Sequence, residues 1–174
     1  MKIILAIFFT LLISFTAQSQ HELELTFKKY QNNTNATSIV FDDNIMSYLK
    51  NKDKDFNTNI EKVEILLFTP DQNLSESDQN KINRAIDADN YDLLVNAKTK
   101  EGKAKMYGLS ENDDVLKVLY AQVKSDHAHI YFLLKGNIHF EELAEMGLNF
   151  EGADVFKMLN GTAKDFEQKK EDKN

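Results

Sequence analysis

The chain has 174 residues, a formal net charge of −7 and no cysteine. The acidic balance argues against a nucleic-acid partner or an anionic membrane surface, because polyanion binding rests on Lys and Arg contacts that release counterions, and no cluster is expected to reverse that balance locally. The missing cysteine excludes disulfides, thiol nucleophiles, redox dithiols and Cys-based zinc sites, so an apolar core has to stabilise the fold alone.

The amino terminus carries Lys2, an apolar stretch from Ile3 to Ala17, and the polar exit Gln18-Ser19-Gln20. A membrane-spanning helix needs roughly 20 apolar residues. The stretch therefore reads as a secretory signal peptide over residues 1–19, with Ala17 and Ser19 as the small side chains before a cut after Ser19. No cysteine follows, which excludes a lipoprotein, and no stable membrane span is expected after cleavage. The predicted location is the periplasm or the exterior. One domain over residues 20–162 follows, with a charged, flexible tail over residues 163–174 that mixes both signs.

Leu23, Phe27 and Tyr30 stand at helical spacing between His21 and Asn33, and the polar Asn32–Asn35 cluster ends that helix. Thr37 to Asp42, with Ile39, Val40 and Phe41, predicts a strand. Asp42 or Asp43 then caps a helix with Ile45, Met46 and Leu49 on its apolar face. Val63 to Phe68 predicts a strand stopped by Pro70. Ser75-Glu-Ser-Asp78 resembles a capping box that opens a helix with Ile82, Ala85 and Ile86 inward. Tyr91 to Ala97 is ambiguous between a helix end and a strand.

Lys103 to Leu109, Val115 to Lys124 and Ala128 to Lys135 are strand-type runs separated by short polar turns, which predicts consecutive antiparallel hairpins. Ile130, Phe132 and Leu134 would face a core while His129, Tyr131 and Lys135 face water. Two helices follow: one begins with Phe140, Leu143 and Ala144, and the other carries Val155, Phe156 and Leu159 and ends at Gly161. The order predicts a two-layer α+β fold, a mostly antiparallel sheet of about five strands with helices packed on one face.

Candidate chemistry is sparse. His127 and His129, at i and i+2 on a strand, would share a face and could hold a divalent metal with Asp126 or His139, although two His beside a turn are more often simply exposed. The doublets Asp42-Asp43, Asp113-Asp114 and Glu141-Glu142 sit at helix starts and turns, where acids are favoured anyway. No Gly-x-Ser-x-Gly elbow, phosphate loop or dinucleotide fingerprint occurs. The hydroxyls of Tyr107, Tyr120 and Tyr131, on neighbouring strands, could line one sheet face and bind a partner there, or form the outer edge of a core beneath covering helices.

The succession of an apolar leader, a helix, a short Val/Ile strand, a second helix and a Leu-rich strand continues as Tyr91-Asp-Leu-Leu-Val95, a Lys-Glu-Gly turn at Lys100–Gly102, and hairpins ending in Leu-Leu-Lys-Gly-Asn-Ile138. From about His21 to Met146 this resembles the DUF4252 family, small exported proteins found mostly in Bacteroidota. The stretch from Gly147 onward is extra to that pattern. The resemblance implies no established activity and no site residue, while the placing of several members near genes for extracytoplasmic-function sigma factors hints at envelope signalling. The expectation is an exported, non-enzymatic interaction or ligand-sensing domain without a cofactor, whose partner is an envelope protein or a small ligand. Two other readings stay open: a hydrolase of envelope polymers using carboxylates brought together by the fold, and a carrier of apolar ligands.

Overall fold

The computed structural model describes residues 22–52, 58–100, 102–112, 114–140 and 142. The expected leader, most of the helix expected from Phe140, the helix expected around Val155 to Leu159 and the expected charged tail lie outside them. In chain order the described elements are α1 (residues 22–31), β1 (Thr37–Phe41), α2 (Asp43–Lys52), β2 (Ile60–Phe68), α3 (Glu76–Ala88), β3 (Asp92–Lys98), β4 (Gly102–Asn112), β5 (Val115–Ser125) and β6 (His129–His139).

The strands form one six-stranded sheet in the order β1-β2-β6-β5-β4-β3, antiparallel at every pairing. Strands β3 to β6 are a meander of three hairpins, of which β4–β5 and β5–β6 are those the short polar turns predict, and β6 closes it by pairing with β2. Helix α3 carries the chain from β2 to the far edge at β3.

Both faces of the sheet are apolar. On one, Leu23, Phe27 and Tyr30 of α1 and Ile82, Ala85 and Ile86 of α3 pack over Leu66, Phe68, Tyr120, Tyr131 and Leu133. Aromatic edges meet ring faces there: Phe68 lies 5.4 Å from Tyr30 and 5.8 Å from Tyr131, both near perpendicular. On the other face, Met46 of α2 joins Leu119, Ala121, Leu134 and Ile138. Helices thus lie on both sides, α2 opposite the other two. Of the apolar face expected for α2, Met46 is buried and Leu49 half-buried, whereas Ile45 is 42% exposed.

Local chemistry sets the element ends. Asp42 Oδ1 accepts from the amides of Asn44 and Ile45 at 3.1 and 3.0 Å, capping α2. Ser75 Oγ accepts from the Asp78 amide at 3.2 Å and donates to Asp78 Oδ2 at 2.6 Å. A capping box would have the Asp78 carboxylate reach back to the Ser75 amide. Instead Tyr30 Oη of α1 accepts from that amide at 2.9 Å and donates to Asp78 Oδ2 at 2.9 Å. The cap of α3 is therefore also the joint between two helices. At its other end Asn90 takes φ 55° and the Tyr91 amide donates to Ile86 O at 3.1 Å, a left-handed helix stop. This stop resolves the ambiguous Tyr91–Ala97 segment: the helix ends before it, and it continues as β3.

Candidate functional site

Tyr107, Tyr120 and Tyr131 do share a sheet face, but it is the face that α1 and α3 cover. Tyr131 is fully buried and Tyr120 nearly so, while Tyr107 is half-buried and stacks on Tyr120 at 6.2 Å. Burial, with Tyr30 nearby, pushes the Tyr131 phenol well above its ordinary pKa, and its hydroxyl donates to Asn73 Oδ1. Of the two readings of these tyrosines, an exposed binding face is corrected and a core beneath covering helices is what is found, with only Tyr107 reaching the rim; the expected wet face carrying His129, Tyr131 and Lys135 is corrected for the same reason. Strand alternation correctly put the three on one face, but it could not say which face the helices choose.

His127 and His129 do not form the strand pair on which a shared metal depends. His127 lies exposed in the bend between β5 and β6, and only His129 is on the strand. Its Nδ1 donates to Gln72 O at 2.9 Å. Among the described residues no group of three His, Cys, Asp or Glu side chains is placed to hold a metal ion.

The adjacent carboxylates serve local structure where they are described. Asp42 caps α2, and Glu142 Oε1 accepts from the backbone and side-chain amides of Asn59 at 3.1 and 3.0 Å. A cleft of about 370 Å³ opens between α1, the start of α2, β2 and β6, lined by Glu24, Asp42, Asp43, Asn44, Glu61, Lys62 and Lys135. Both of its lysines are already paired, Lys135 with Glu24 and Lys62 with the buried Glu64. Glu64 also accepts from Gln31 Nε2 at 2.8 Å, whereas its Oε1, beside Lys62, has no aligned hydrogen bond.

At the opposite end of the sheet the ladder register builds what the linear sequence conceals. Lys98 of β3 is paired with Lys103 of β4, Lys103 with Lys124 of β5, and Lys124 with His129 of β6. Lys105, two residues along β4 from Lys103, shares their face and is paired with Asn96 and Gln122. Neighbouring strands lie about 4.8 Å apart, and residues i and i+2 about 7 Å apart. Three lysine stems therefore stand side by side across three strands, with a fourth behind them. Like charges directly opposite across a ladder are destabilising. Lys98, Lys103 and Lys105 are exposed, and none has an acidic partner among the described residues.

Lys124 is half-buried against α3, its Nζ donating to Gln79 Oε1 at 3.1 Å. Burial, then the charges of Lys103 and Lys105, hold it below the ordinary lysine pKa. Sequence reading missed this patch because composition sees a net acidic chain. Two signals were available: alternate lysines at 103 and 105, and a hairpin turn at Lys100–Gly102 that folds Lys98 back onto Lys103.

A family model described as Domain of unknown function (DUF4252) matches residues 30–146, well over half of the chain. No curated protein and no solved structure matches. No helix among the described residues is long and apolar enough to cross a membrane.

Proposed function

Because the chain belongs to the DUF4252 family, whose description assigns no activity, we propose from the site alone that it is an exported, non-enzymatic binding domain that takes an anionic ligand on the β3–β5 platform. The observation that carries this reading is the cross-strand row Lys98–Lys103–Lys124, with Lys105 behind it. An acidic chain could set each lysine beside a carboxylate, as Lys29, Lys117, Lys62 and Lys135 are set, the last two even though they face each other across the β2–β6 ladder. Four cations kept together with no acidic partner among the described residues cost stability, and an anion bound among them restores the balance while making charge-assisted hydrogen bonds to several ammonium groups at once. Export rests on the leader over residues 1–19.

The test is an amide and lysine side-chain NMR titration of the full chain with inorganic pyrophosphate. A saturable shift confined to residues around 98, 103, 105 and 124, lost in Lys103→Gln/Lys105→Gln, is expected. Shifts scattered over all lysines, or none at millimolar pyrophosphate, overturn the reading.

A further inference from the structure

The face that carries the lysines changes character in steps along the strands. Its first cross-strand row is Lys98, Lys103 and Lys124; its second is Asn96, Lys105 and Gln122; its third is Leu93, Tyr107 and Tyr120. The sequence alone hides the third row, because a register shift between Leu93 and Val95 puts Leu93 opposite Tyr107 on the lysine side. Leu93 is 51% exposed, although it lies in a strand beside an aromatic ring, and Tyr107 is half-buried at the margin of the core under α1 and α3. From Lys103 to Tyr107 the surface thus passes from ammonium groups through a mixed polar row to apolar carbon within about 13 Å along one strand.

We infer that the ligand of this platform is an amphipathic anion, a phosphate or carboxylate head bearing an apolar chain, with its head among Lys98, Lys103 and Lys124 and its chain laid over Leu93 and Tyr107. The inference rests on the anion-binding reading above and adds the ligand class. A bare multivalent anion uses the first two rows and leaves Leu93 without a function. An extended polyanion laid along the strands runs past the lysines onto apolar surface, where its next charge meets no cation and loses hydration. Octyl phosphate, head group and extended chain together, spans the roughly 13 Å between the first and third rows, and each methylene it buries adds to affinity.

The experiment compares three probes on the full chain by calorimetry, each below its aggregation concentration: inorganic phosphate, octyl phosphate and octyl glucoside. Octyl phosphate is expected to bind at least ten-fold more tightly than inorganic phosphate, about 1.4 kcal/mol, and octyl glucoside weakly. Leu93→Asn, at a half-exposed position outside the core, should erase the advantage of octyl phosphate and leave phosphate affinity unchanged. Lys103→Gln should weaken both anions. If octyl phosphate and phosphate bind equally, both sensitive to Lys103→Gln, the amphiphile inference falls and the anion reading stands. If octyl glucoside matches octyl phosphate and Lys103→Gln changes neither, or if no probe binds, both fall.

Discussion

Lys103 and Lys124 stand directly opposite each other in the β4–β5 ladder, and Lys98 stands opposite Lys103 on its other side. One strand spacing separates each pair, so the repulsion is local and removable. Replacing the middle residue, Lys103→Glu, turns two repulsive pairs into attractive ones. It should raise unfolding stability by about 1 kcal/mol and abolish pyrophosphate binding. A urea midpoint that stays put or falls would show that the ammonium groups splay apart and never opposed one another.

The same row has a pH signature. Lys124 is held below the ordinary lysine pKa of 10.5 by burial and by Lys103 and Lys105. Between its folded value and 10.5 the unfolded chain therefore binds more protons than the folded one, so this group makes stability rise with pH across that window. Tyr91, Tyr120 and Tyr131 act the opposite way, since burial raises their folded values. Their contribution is intact below pH 10 and is lost as pH rises further. The difference between wild type and Lys103→Gln cancels the tyrosines. Lys103→Gln should gain most below the window, and its advantage should shrink as Lys124 deprotonates. An advantage independent of pH from 8 to 11 would rule out charge repulsion as its source.

Asp78 is the polar centre of the helix layer, 2% exposed, with Oδ2 accepting from Lys29 Nζ at 2.5 Å, Ser75 Oγ at 2.6 Å and Tyr30 Oη at 2.9 Å. Burial alone would raise its pKa; the hydrogen bonds from Lys29, Ser75 and Tyr30, with the Lys29 charge, outweigh it and hold the carboxyl below 3.8. The folded value being depressed, the contribution of Asp78 is present above pH 3.8 and fades as pH falls through the folded value. Asp78→Asn should cost about 2 kcal/mol at pH 7 and flatten the acid limb of stability below pH 4. Urea midpoints of the two proteins at pH 7, 4 and 3 check this, and parallel acid limbs would refute it.

Much of the fold was legible in the chain because its signals are local. Leu23, Phe27 and Tyr30 recur at helical spacing, Ser75 and Asp78 mark a helix start, and the polar turns around Asp114 and Asp126 separate strands that pair in sequence order. What stayed hidden depends on register or on which face a helix chooses. Tyr131 alternates with buried residues and so looks wet, until α1 and α3 cover it. Lys98 and Lys124 lie far apart in sequence and meet only through Lys103, and Leu93 changes face at a bulge. The family-like Leu-Leu-Lys-Gly-Asn-Ile138 segment was visible as a pattern, but its reason appears only where Gly136 passes β2.

Tyr91 buries its hydroxyl without a hydrogen-bond partner among the described residues, near the charges of Asp89 and Glu24. A buried unsatisfied hydroxyl costs about 1–3 kcal/mol of desolvation. Tyr91→Phe keeps the ring in its cluster with Ile86 and removes that cost, so the variant should be more stable by about 1 kcal/mol. Thermal or urea unfolding at pH 7 decides it. A loss of stability would mean that the hydroxyl has an acceptor, with Asp89 the first to examine.

Gly136 sits at φ +141° where β6 carries one residue more than β5 between Lys135 and Ile138. A side chain there is strained by the backbone angle alone, at about 1–3 kcal/mol. It is also blocked: a Cβ would come within 2.4 Å of Asn59 O and 2.9 Å of the Glu61 amide nitrogen, both backbone atoms that cannot swing aside. The bulge turns β6 onto the start of β2, where the Asn137 amide donates to Asn59 O at 3.2 Å and Lys117 Nζ reaches Asn137 Oδ1 at 3.0 Å. Gly136→Ala should therefore destabilise by more than about 3 kcal/mol, whereas Lys135→Ala next to it, half-exposed and paired with Glu24, should cost under about 1 kcal/mol. Comparing the two in one denaturation series separates backbone geometry from side-chain contact. Equal losses would mean that the segment is fixed by its side chains, and that the glycine merely tolerates a bulge which other residues could also adopt.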